Sequence, residues 1–207
     1  WSNSHWNTNI DDIKYASDIE DIDYLGIIFA KESSRCVDLD LAEKLINACD
    51  QKKNIVAVFM NQSKEDVSSI IKNLDFDILQ FHGNESIDFC NFFKKPFIKT
   101  FHIEDTKLNI NMDFIKYAHS FLLDTSSGNT YGGTGKTFDW EILNKHKFFN
   151  DKDLSFPYLT AGGLNPSNIK DLISKYNPPG VDVSSGIESS IGKKDHLLMK
   201  KFIENVR

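Results

Sequence analysis

Short apolar runs alternate along the chain with longer segments whose apolar residues recur at helical spacing. Most runs are continuously apolar, which is typical of strands buried on both faces of a parallel sheet. They predict seven strands, at residues 23–29, 54–59, 78–83, 97–103, 120–125, 157–163 and 180–186. They also predict eight helices, at residues 9–20, 40–52, 63–73, 85–94, 110–118, 139–147, 165–176 and 195–206. With no Pro-, Gly- or Ser-rich linker, residues 1–207 are expected to form one domain.

Repeated strand–helix units are consistent with two α/β architectures, a (β/α)8 TIM barrel and an open doubly wound sheet. A barrel needs eight strands, and the pattern supplies seven. The missing strand is the N-terminal one, because no apolar run precedes the helix predicted at 9–20. Periodicity alone therefore leaves both architectures open.

Composition narrows the class of protein. A formal net charge of −6 argues against a nucleic-acid-binding surface, and no apolar run has the length of a membrane span. The three cysteines include no CxxC pair, which argues against a disulfide framework and against a zinc site. The expected location is therefore the reducing cytoplasm. There is no secretion-signal pattern at the N-terminus. The first residue is Trp1 and not Met, so we expect a processed or altered N-terminus.

Polar residues stand out at the carboxyl ends of the predicted strands, where both architectures build their sites. They are Arg35, Gln80, His82, Asp124 and Asp182. Asp124 follows three apolar residues, so its carboxyl group is expected to be partly desolvated, which suits a general acid. An aspartate in this position can equally cap the turn that follows the strand, and position alone leaves both roles open. For His82 the spacing alone favours a histidine that is buried in the core with its hydrogen bonds made. The chain has 22 lysines and two arginines, so a mid-chain Arg35 suggests a need for the guanidinium fork.

The remaining mid-chain histidines show no metal-ligand spacing, and we expect them at the surface: His102, His119, His146 and His196.

Residues 122–140, LLDTSSGNTYGGTGKTFDW, end a strand and carry four glycines, the last of them in Gly135-Lys136-Thr137. A nucleotide-binding P-loop requires a glycine five positions before Gly135, where this chain has Thr130. The match is partial. The loop composition suits a lid over a substrate or a plain surface loop.

Two later loops resemble a phosphate cradle. Gly162-Gly163 lie between a strand and a helix start, and Ser184, Ser185 and Gly186 end the next predicted strand. Backbone N–H groups at such positions attract anions, and in barrels the last two loops commonly hold phosphate.

Four segments, LQFHGNE, LLDTSSGNTYGGTGKTFDW, LTAGGLNPSNI and VDVSSGIESSIGKKDH, occur in an order and spacing that resemble the phosphoribosylanthranilate isomerases of tryptophan biosynthesis. The resemblance covers roughly residues 8–207. It implies a (β/α)8 barrel that carries out an Amadori rearrangement without cofactor or metal. It also implies that the glycine-rich segment is a barrel loop, with no nucleotide bound.

The resemblance implies site roles as well. Asp124 is similar to the family's general acid, and Arg35 matches the arginine that holds the anthranilate end of the substrate. Gly162, Gly163, Ser184, Ser185 and Gly186 match the phosphate-binding loops, and Gln80, His82 and Asp182 match other substrate-pocket positions.

The N-terminus departs from the family pattern, which opens with a strand reading K-I-C-G-I-T-N and uses its cysteine as the general base. Here Thr8-Asn9 fit the end of that pattern, so His5 stands at the cysteine position and Trp6 at the glycine position. The departure predicts a frayed first strand, with His5 as the candidate base and low activity.

Three alternatives to an active isomerase of this family stay open. One is a non-catalytic or impaired descendant that still binds phosphorylated ligands. Another is a different phosphate-handling barrel enzyme, such as indole-glycerol-phosphate synthase. In the third, His5 lies outside the barrel. The expected partner is a small phosphorylated substrate, with neither nucleic acid nor membrane, and the chain is expected to be a monomer or a homodimer.

Overall fold

The computed structural model describes residues 3–49, 53–104, 107–127, 130–131, 137–150 and 156–207. Its framework is a set of parallel strands, which we number along the chain: β1 Asn3–Trp6, β2 Tyr24–Ile28, β3 Asn54–Phe59, β4 Ile78–Phe81, β5 Phe97–Glu104, β6 Ser120–Ser127, β7 Tyr158–Thr160 and β8 Val181–Val183.

Each strand pairs in parallel with the next, and β8 pairs back onto β1. The sheet is therefore closed, which identifies a (β/α)8 barrel and excludes the open doubly wound sheet.

Helices follow the strands, as strand-to-parallel-strand crossovers require. They are α1 Ile10–Ser17, α2 Leu39–Ala48, α3 Lys64–Asn73, α4 Ile87–Phe92, α5 Ile142–Lys145, α6 Lys147–Asn150, α7 Ile169–Tyr176 and α8 His196–Val206. The helix predicted at 110–118 is wrong in type, because a 3-10 helix, Met112–Lys116, connects β5 to β6. The helix predicted at 139–147 is instead two short helices, α5 and α6.

The core has two layers that alternate along each strand. The inner layer fills the barrel with small and branched side chains: Ile28, Ala30, Val56, Val58, Ile78, Ile98, Leu122, Leu159 and Ala161. The outer layer packs the sheet against the helices and includes many phenylalanines, such as Phe59, Phe81, Phe97 and Phe121. Because successive side chains of a strand point to opposite faces, residues two apart belong to the same layer.

The prediction of a frayed first strand is wrong. Ser4 pairs with Tyr24 of β2 on one side and with Asp182 of β8 on the other, and Asn7 N–H donates to the carbonyl of Gly26 at 3.0 Å. Main-chain hydrogen bonds to both neighbours do not require apolar side chains, so a strand of polar sequence still completes the barrel.

Residues after β1 tie the two ends of the chain together. The Thr8 hydroxyl donates to the carbonyl of Gly192 at 2.5 Å. The carboxylate of Asp12 in α1 accepts from the backbone N–H of Lys194 at 2.7 Å and pairs with His196 Nε2 at 2.8 Å. These contacts hold the first and last strand–helix units side by side, which supports closure at β1.

Among the helices in the described part of the chain, none is both long enough and apolar enough to cross a membrane.

Candidate active site

The inward-facing positions of β4, β5 and β6 change from apolar to polar toward the carboxyl end of each strand. In β5, Ile98 belongs to the inner core, and Thr100 and His102 follow at the same spacing. In β6, Leu122 is followed by Asp124. This change brings the polar side chains together at one mouth of the barrel, where enzymes of this architecture place their chemistry.

Asp124 is held at both carboxylate oxygens. Its side chain is buried, with the residue 7% exposed. Oδ1 accepts from the backbone N–H of Thr125 at 2.8 Å, and Oδ2 lies 3.2 Å from His82 Nε2. The carboxyl group is therefore fixed in one orientation at the barrel mouth, as a proton-transferring group must be.

The ring of His82 is oriented through its other nitrogen. Nδ1 lies 3.3 Å from Gln80 Nε2 and 3.1 Å from the Thr100 hydroxyl. The Gln80 amide nitrogen is a donor, so Nδ1 accepts and the Nε2 proton faces Asp124 in the neutral ring. His82 is buried as the core-histidine interpretation expects, and its contact with Asp124 also makes it part of the site.

His102 stands beside this pair, in register with Asp124 on the neighbouring strand. Its Nε2 donates to the carbonyl oxygen of His82 at 2.8 Å, and the two rings pack edge to face. Burial lowers the pKa of His102, and the nearby His82 lowers it further. The expectation that His102 lies at the surface is wrong, because the ring is half-buried.

The other histidines differ in exposure. His119 is exposed as expected. His146 and His196 are half-buried. The His196 side chain is still 39% exposed, and His146 lines a surface cavity, so both lie at the surface as expected.

Arg35 lies in the loop between β2 and α2 and makes a fork-shaped ion pair. Its Nε donates to Glu188 Oε1 at 2.8 Å and its Nη2 to Oε2 at 2.7 Å. Lys194 Nζ adds a third contact to Oε1 at 3.0 Å. The planar guanidinium suits this two-bond geometry, as the scarcity of arginine in the sequence suggests.

Burial and charge act in opposite directions within this cluster. Burial would raise the pKa of Glu188, but hydrogen bonds and charges from Arg35 and Lys194 outweigh it and hold the pKa below its usual value. Burial lowers the pKa of Lys194 although Glu188 acts to raise it. The pKa of Arg35 is raised, chiefly by its hydrogen bond to Glu188.

The two predicted phosphate loops lie against each other. Gly162 and Gly163 have φ angles of +83° and +62°, which glycine adopts without strain. A Cβ at Gly162 would meet Thr125 Oγ1 at 2.0 Å, and one at Gly186 would meet the carbonyl oxygen of Leu164 at 1.8 Å. The loop after β8, with Ser184, Ser185 and Gly186, therefore packs directly on the loop after β7, next to the end of β6.

Asp182 and Gln80 are buried in the barrel, at 4% and 1% exposure. Asp182 pairs in register with Ser4 of β1. His5 pairs instead with Leu25 and Val183, which belong to the outer core layer. The catalytic role of His5 stays a prediction.

Residues 128–129 and 132–136 of the predicted lid, which include its four glycines, fall outside the described residues.

Sequence reasoning did not identify Glu188, Lys194, Thr100 and His102 as parts of the site. Glu188 and Lys194 are far from Arg35 in the sequence, and nothing within the segment VDVSSGIESSIGKKDH distinguishes them as its partners. His102 lies 20 residues from its partner. The signal that could have identified His102 is its two-residue spacing from Thr100 and Ile98, which places all three on one face of a strand.

A closed (β/α)8 barrel with a fixed carboxyl group, a half-buried arginine and two glycine loops at one mouth defines a class: barrel enzymes that act on small anionic substrates.

Comparison with known proteins narrows this class. The family model described as "N-(5'phosphoribosyl)anthranilate (PRA) isomerase" matches residues 4–205. The N-(5'-phosphoribosyl)anthranilate isomerase of Legionella pneumophila (strain Paris) is 43% identical over 200 residues, covering 96% of this chain and 93% of the relative.

Solved structures agree. The phosphoribosyl anthranilate isomerase of Thermotoga maritima superposes with a TM-score of 0.83 at 28% identity, covering 99% of this chain and 97% of that one. A structure of such an isomerase with reduced 1-(o-carboxyphenylamino)-1-deoxyribulose 5-phosphate superposes with a TM-score of 0.80 at 26% identity, with the same coverage. Another structure of the Thermotoga maritima protein describes it as dimeric. The chain belongs to the N-(5'-phosphoribosyl)anthranilate isomerase family.

Proposed function

We infer that the chain is an isomerase of tryptophan biosynthesis, which converts N-(5'-phosphoribosyl)anthranilate into 1-(2-carboxyphenylamino)-1-deoxyribulose 5-phosphate. The observation that carries this conclusion is the match to the isomerase family over residues 4–205. The geometry of the barrel mouth agrees with it, because the mouth offers one group for each part of the substrate.

The reaction is an internal oxidation and reduction whose atoms balance without an external reagent. A general acid protonates the furanose ring oxygen, and the C1–O bond breaks to give a protonated Schiff base. A general base then removes the proton at C2. The electron pair of that C–H bond forms the enol, which becomes the ketone as C1 takes up a proton.

Asp124 is our candidate for the general acid. It is buried at the mouth, and the Thr125 N–H and the His82 ring hold its two oxygens. A group held in this way loses little orientational freedom when it delivers a proton to a bound ring oxygen. Gln80 and Thr100 orient the His82 ring, so they act on the site through His82.

Arg35 is our candidate for binding the anthranilate carboxylate. Glu188 occupies Nε and one Nη2 donor, which leaves the N–H groups of Nη1 and the second Nη2 N–H of the five donors in the guanidinium. Glu188 thus fixes the plane of the fork while a second carboxylate binds at its other side. Lys194 keeps this cluster positively charged overall, which favours an anionic substrate.

The phosphate of the substrate is assigned to the loops after β7 and β8. The contact of Gly186 with the Leu164 carbonyl supports one shared cradle formed by both loops. Gly162 and Gly163 provide backbone N–H groups without side chains in the way, and Ser184 and Ser185 provide hydroxyls. Asp182 is assigned to the pocket between this cradle and Asp124.

The identity of the general base separates two versions of this function. If His5 or another group accepts the C2 proton, the chain is an active isomerase. If none does, it is an impaired descendant that binds the ligand without turnover, as the absence of the family cysteine suggests.

Binding and turnover measured together separate these versions. The reduced product analogue named above should bind to the purified chain with a 1:1 stoichiometry in a calorimetric titration. N-(5'-phosphoribosyl)anthranilate, formed in the cuvette, should lose its anthranilate-type fluorescence on conversion. Binding with turnover supports the isomerase, and binding without turnover supports the descendant. Absence of binding by a well-folded chain would contradict both.

Location and assembly are further proposals. Three free cysteines are consistent with a reducing cytoplasm. A monomer or a homodimer fits a family with a dimeric relative. The expectation of a reaction without cofactor or metal stays a prediction.

A further inference from the structure

Three side chains at the barrel mouth have the composition of a transition-metal site. One ring nitrogen each of His82 and His102 and one carboxylate oxygen of Asp124 lie within 4.8 Å of one another. Two imidazoles and one carboxylate are a common ligand set for Zn²⁺ and its neighbours in the first transition series.

The distances fit a small ion. With zinc–ligand bonds of about 2.0–2.1 Å, two ligand atoms of a tetrahedron lie roughly 3.3–3.4 Å apart. His82 Nε2 and Asp124 Oδ2 are 3.2 Å apart, so they already have this separation. The His102 nitrogen lies within 4.8 Å of both atoms, and a shift of its ring toward them would complete three protein ligands, with water in the fourth position.

Neighbouring groups set the required tautomers. The His82 carbonyl can only accept a hydrogen bond, so His102 Nε2 carries its proton and Nδ1 keeps the lone pair that a metal needs. At His82 the metal would bind Nε2, and the proton would move to Nδ1, where the Thr100 hydroxyl can accept it at 3.1 Å once the Gln80 amide turns its oxygen, in place of its nitrogen, toward the ring. Hydrogen bonds of this kind from the outer nitrogen are typical of metal-bound histidine.

The His102 side of the cluster faces a cavity that opens to solvent. A cavity of about 540 Å³ reaches His102 between the end of β5 and α5, and Glu104 and His146 also line it.

We propose that His82, His102 and Asp124 bind one divalent transition-metal ion, for which Zn²⁺ is the best match, and that the bound ion blocks the reaction. A metal on Asp124 removes the carboxyl group that the proposed mechanism needs as an acid. The metal site itself does not depend on the proposed function. The inhibition by the bound metal does, because it assumes that Asp124 is the general acid.

Binding is tested first, without any assay of activity, on the purified and chelator-treated chain. Titration with Co²⁺ should produce the visible absorption of a tetrahedral cobalt site at one equivalent, and Zn²⁺ should displace it. His102→Ala should weaken Zn²⁺ binding by at least ~100-fold, more than the typical effect of an outer hydrogen-bond partner. His119→Ala, which removes an exposed histidine directly before the first residue of β6, should bind Zn²⁺ as the parent chain does.

A second measurement needs no variant and stays informative if His102→Ala fails to fold. On addition of Zn²⁺, the ring resonances of His82 and His102 should shift together, while those of His119 stay in place. Absence of a cobalt spectrum, unchanged affinity in folded His102→Ala, or shifts confined to other histidines would overturn the site. If Zn²⁺ binds without inhibiting turnover, the proposed inhibition is wrong and the metal site stands. If the chain has no turnover at all, the proposed function fails, and the binding measurements still decide whether the metal site exists.

Discussion

At Asp124 the catalytic proposal depends on one side-chain contact, the 3.2 Å approach of His82 Nε2 to Oδ2. The backbone N–H of Thr125 holds the other oxygen, and substitution of a side chain cannot remove that contact. His82 is therefore a positioning residue for Asp124, and its loss should affect the rate more than ligand binding.

We predict that His82→Gln lowers kcat by ~10- to 100-fold, in the range expected when a catalytic group is displaced by about 1 Å. The affinity for the reduced product analogue should change less than kcat. Steady-state kinetics and calorimetry on the same preparation provide the comparison, with His119→Gln as the matched exposed control. An equal loss in both quantities would assign His82 to ligand binding instead.

Glu188 makes stability depend on pH in the acid range. Its pKa is lowered in the folded chain, so its contribution is present above the usual value of 4.5 and is lost as pH falls through the folded pKa. We predict that the free energy of unfolding falls more steeply below pH 4.5 in the parent chain than in Glu188→Gln. Glu204→Gln, on the exposed face of α8, should keep the parent's profile in urea titrations. Parallel profiles for the parent and Glu188→Gln would contradict the prediction.

At the scale of elements, a buried ion pair holds the loop that carries His82. Lys99 Nζ of β5 contacts Glu85 Oε2 at 3.2 Å and the carbonyls of Phe81 and Gly83 at 3.1 and 2.5 Å. Glu85 Oε1 accepts from the backbone N–H of Asn61, which links the end of β4 to the end of β3. The side chains of Lys99 and Glu85 are only 5% and 3% exposed, so neither charge has water as an alternative partner.

We predict that Lys99→Met destabilises the chain by about 3–5 kcal/mol, because it leaves the Glu85 carboxylate buried without its cation. Lys95→Met is the matched control, since Lys95 pairs with an exposed Asp75 and its loss should change stability far less. Urea unfolding measures both. A loss below ~1 kcal/mol for Lys99→Met would show that water or a pKa change compensates the carboxylate.

The first strand is the element in which sequence and family differ most. Its register pairs His5 with the outer-layer residues Leu25 and Val183, and a one-residue shift would exchange the two faces. Replacement of residues 1–7 by a strand ending Lys-Ile-Cys-Gly-Ile supplies the family's cysteine, and its glycine relieves the bulk of Trp6. We predict that kcat rises by at least ~10²-fold, because a thiolate base is then available in a strand that can adopt the family register.

The parent chain and its His5→Ala variant are the controls for this replacement. If the parent chain already matches the replaced one and His5→Ala leaves kcat unchanged, position 5 has no part in the reaction.

At the scale of the molecule, the apolar pattern predicted seven barrel strands close to their observed positions, because strands buried on both faces leave a clear signal. It failed at β1, whose strand depends on main-chain pairing with β2 and β8 and not on its own side chains. Motifs predicted the positions of Asp124 and the glycine loops. They could not predict the ion pair of Arg35 with Glu188 or the contact of His102 with His82, because the closed barrel creates both.

In the proposed function, this barrel isomerises N-(5'-phosphoribosyl)anthranilate with Asp124 as the acid. The most direct test is the single-turnover rate of the parent chain and of Asp124→Asn, with Asp113→Asn as an exposed control. The amide keeps the shape of the carboxyl group but cannot deliver a proton. The account predicts a rate that falls ~10²- to 10⁴-fold in Asp124→Asn with little change in affinity for the reduced product analogue. A variant that retains most of the parent's rate would contradict it.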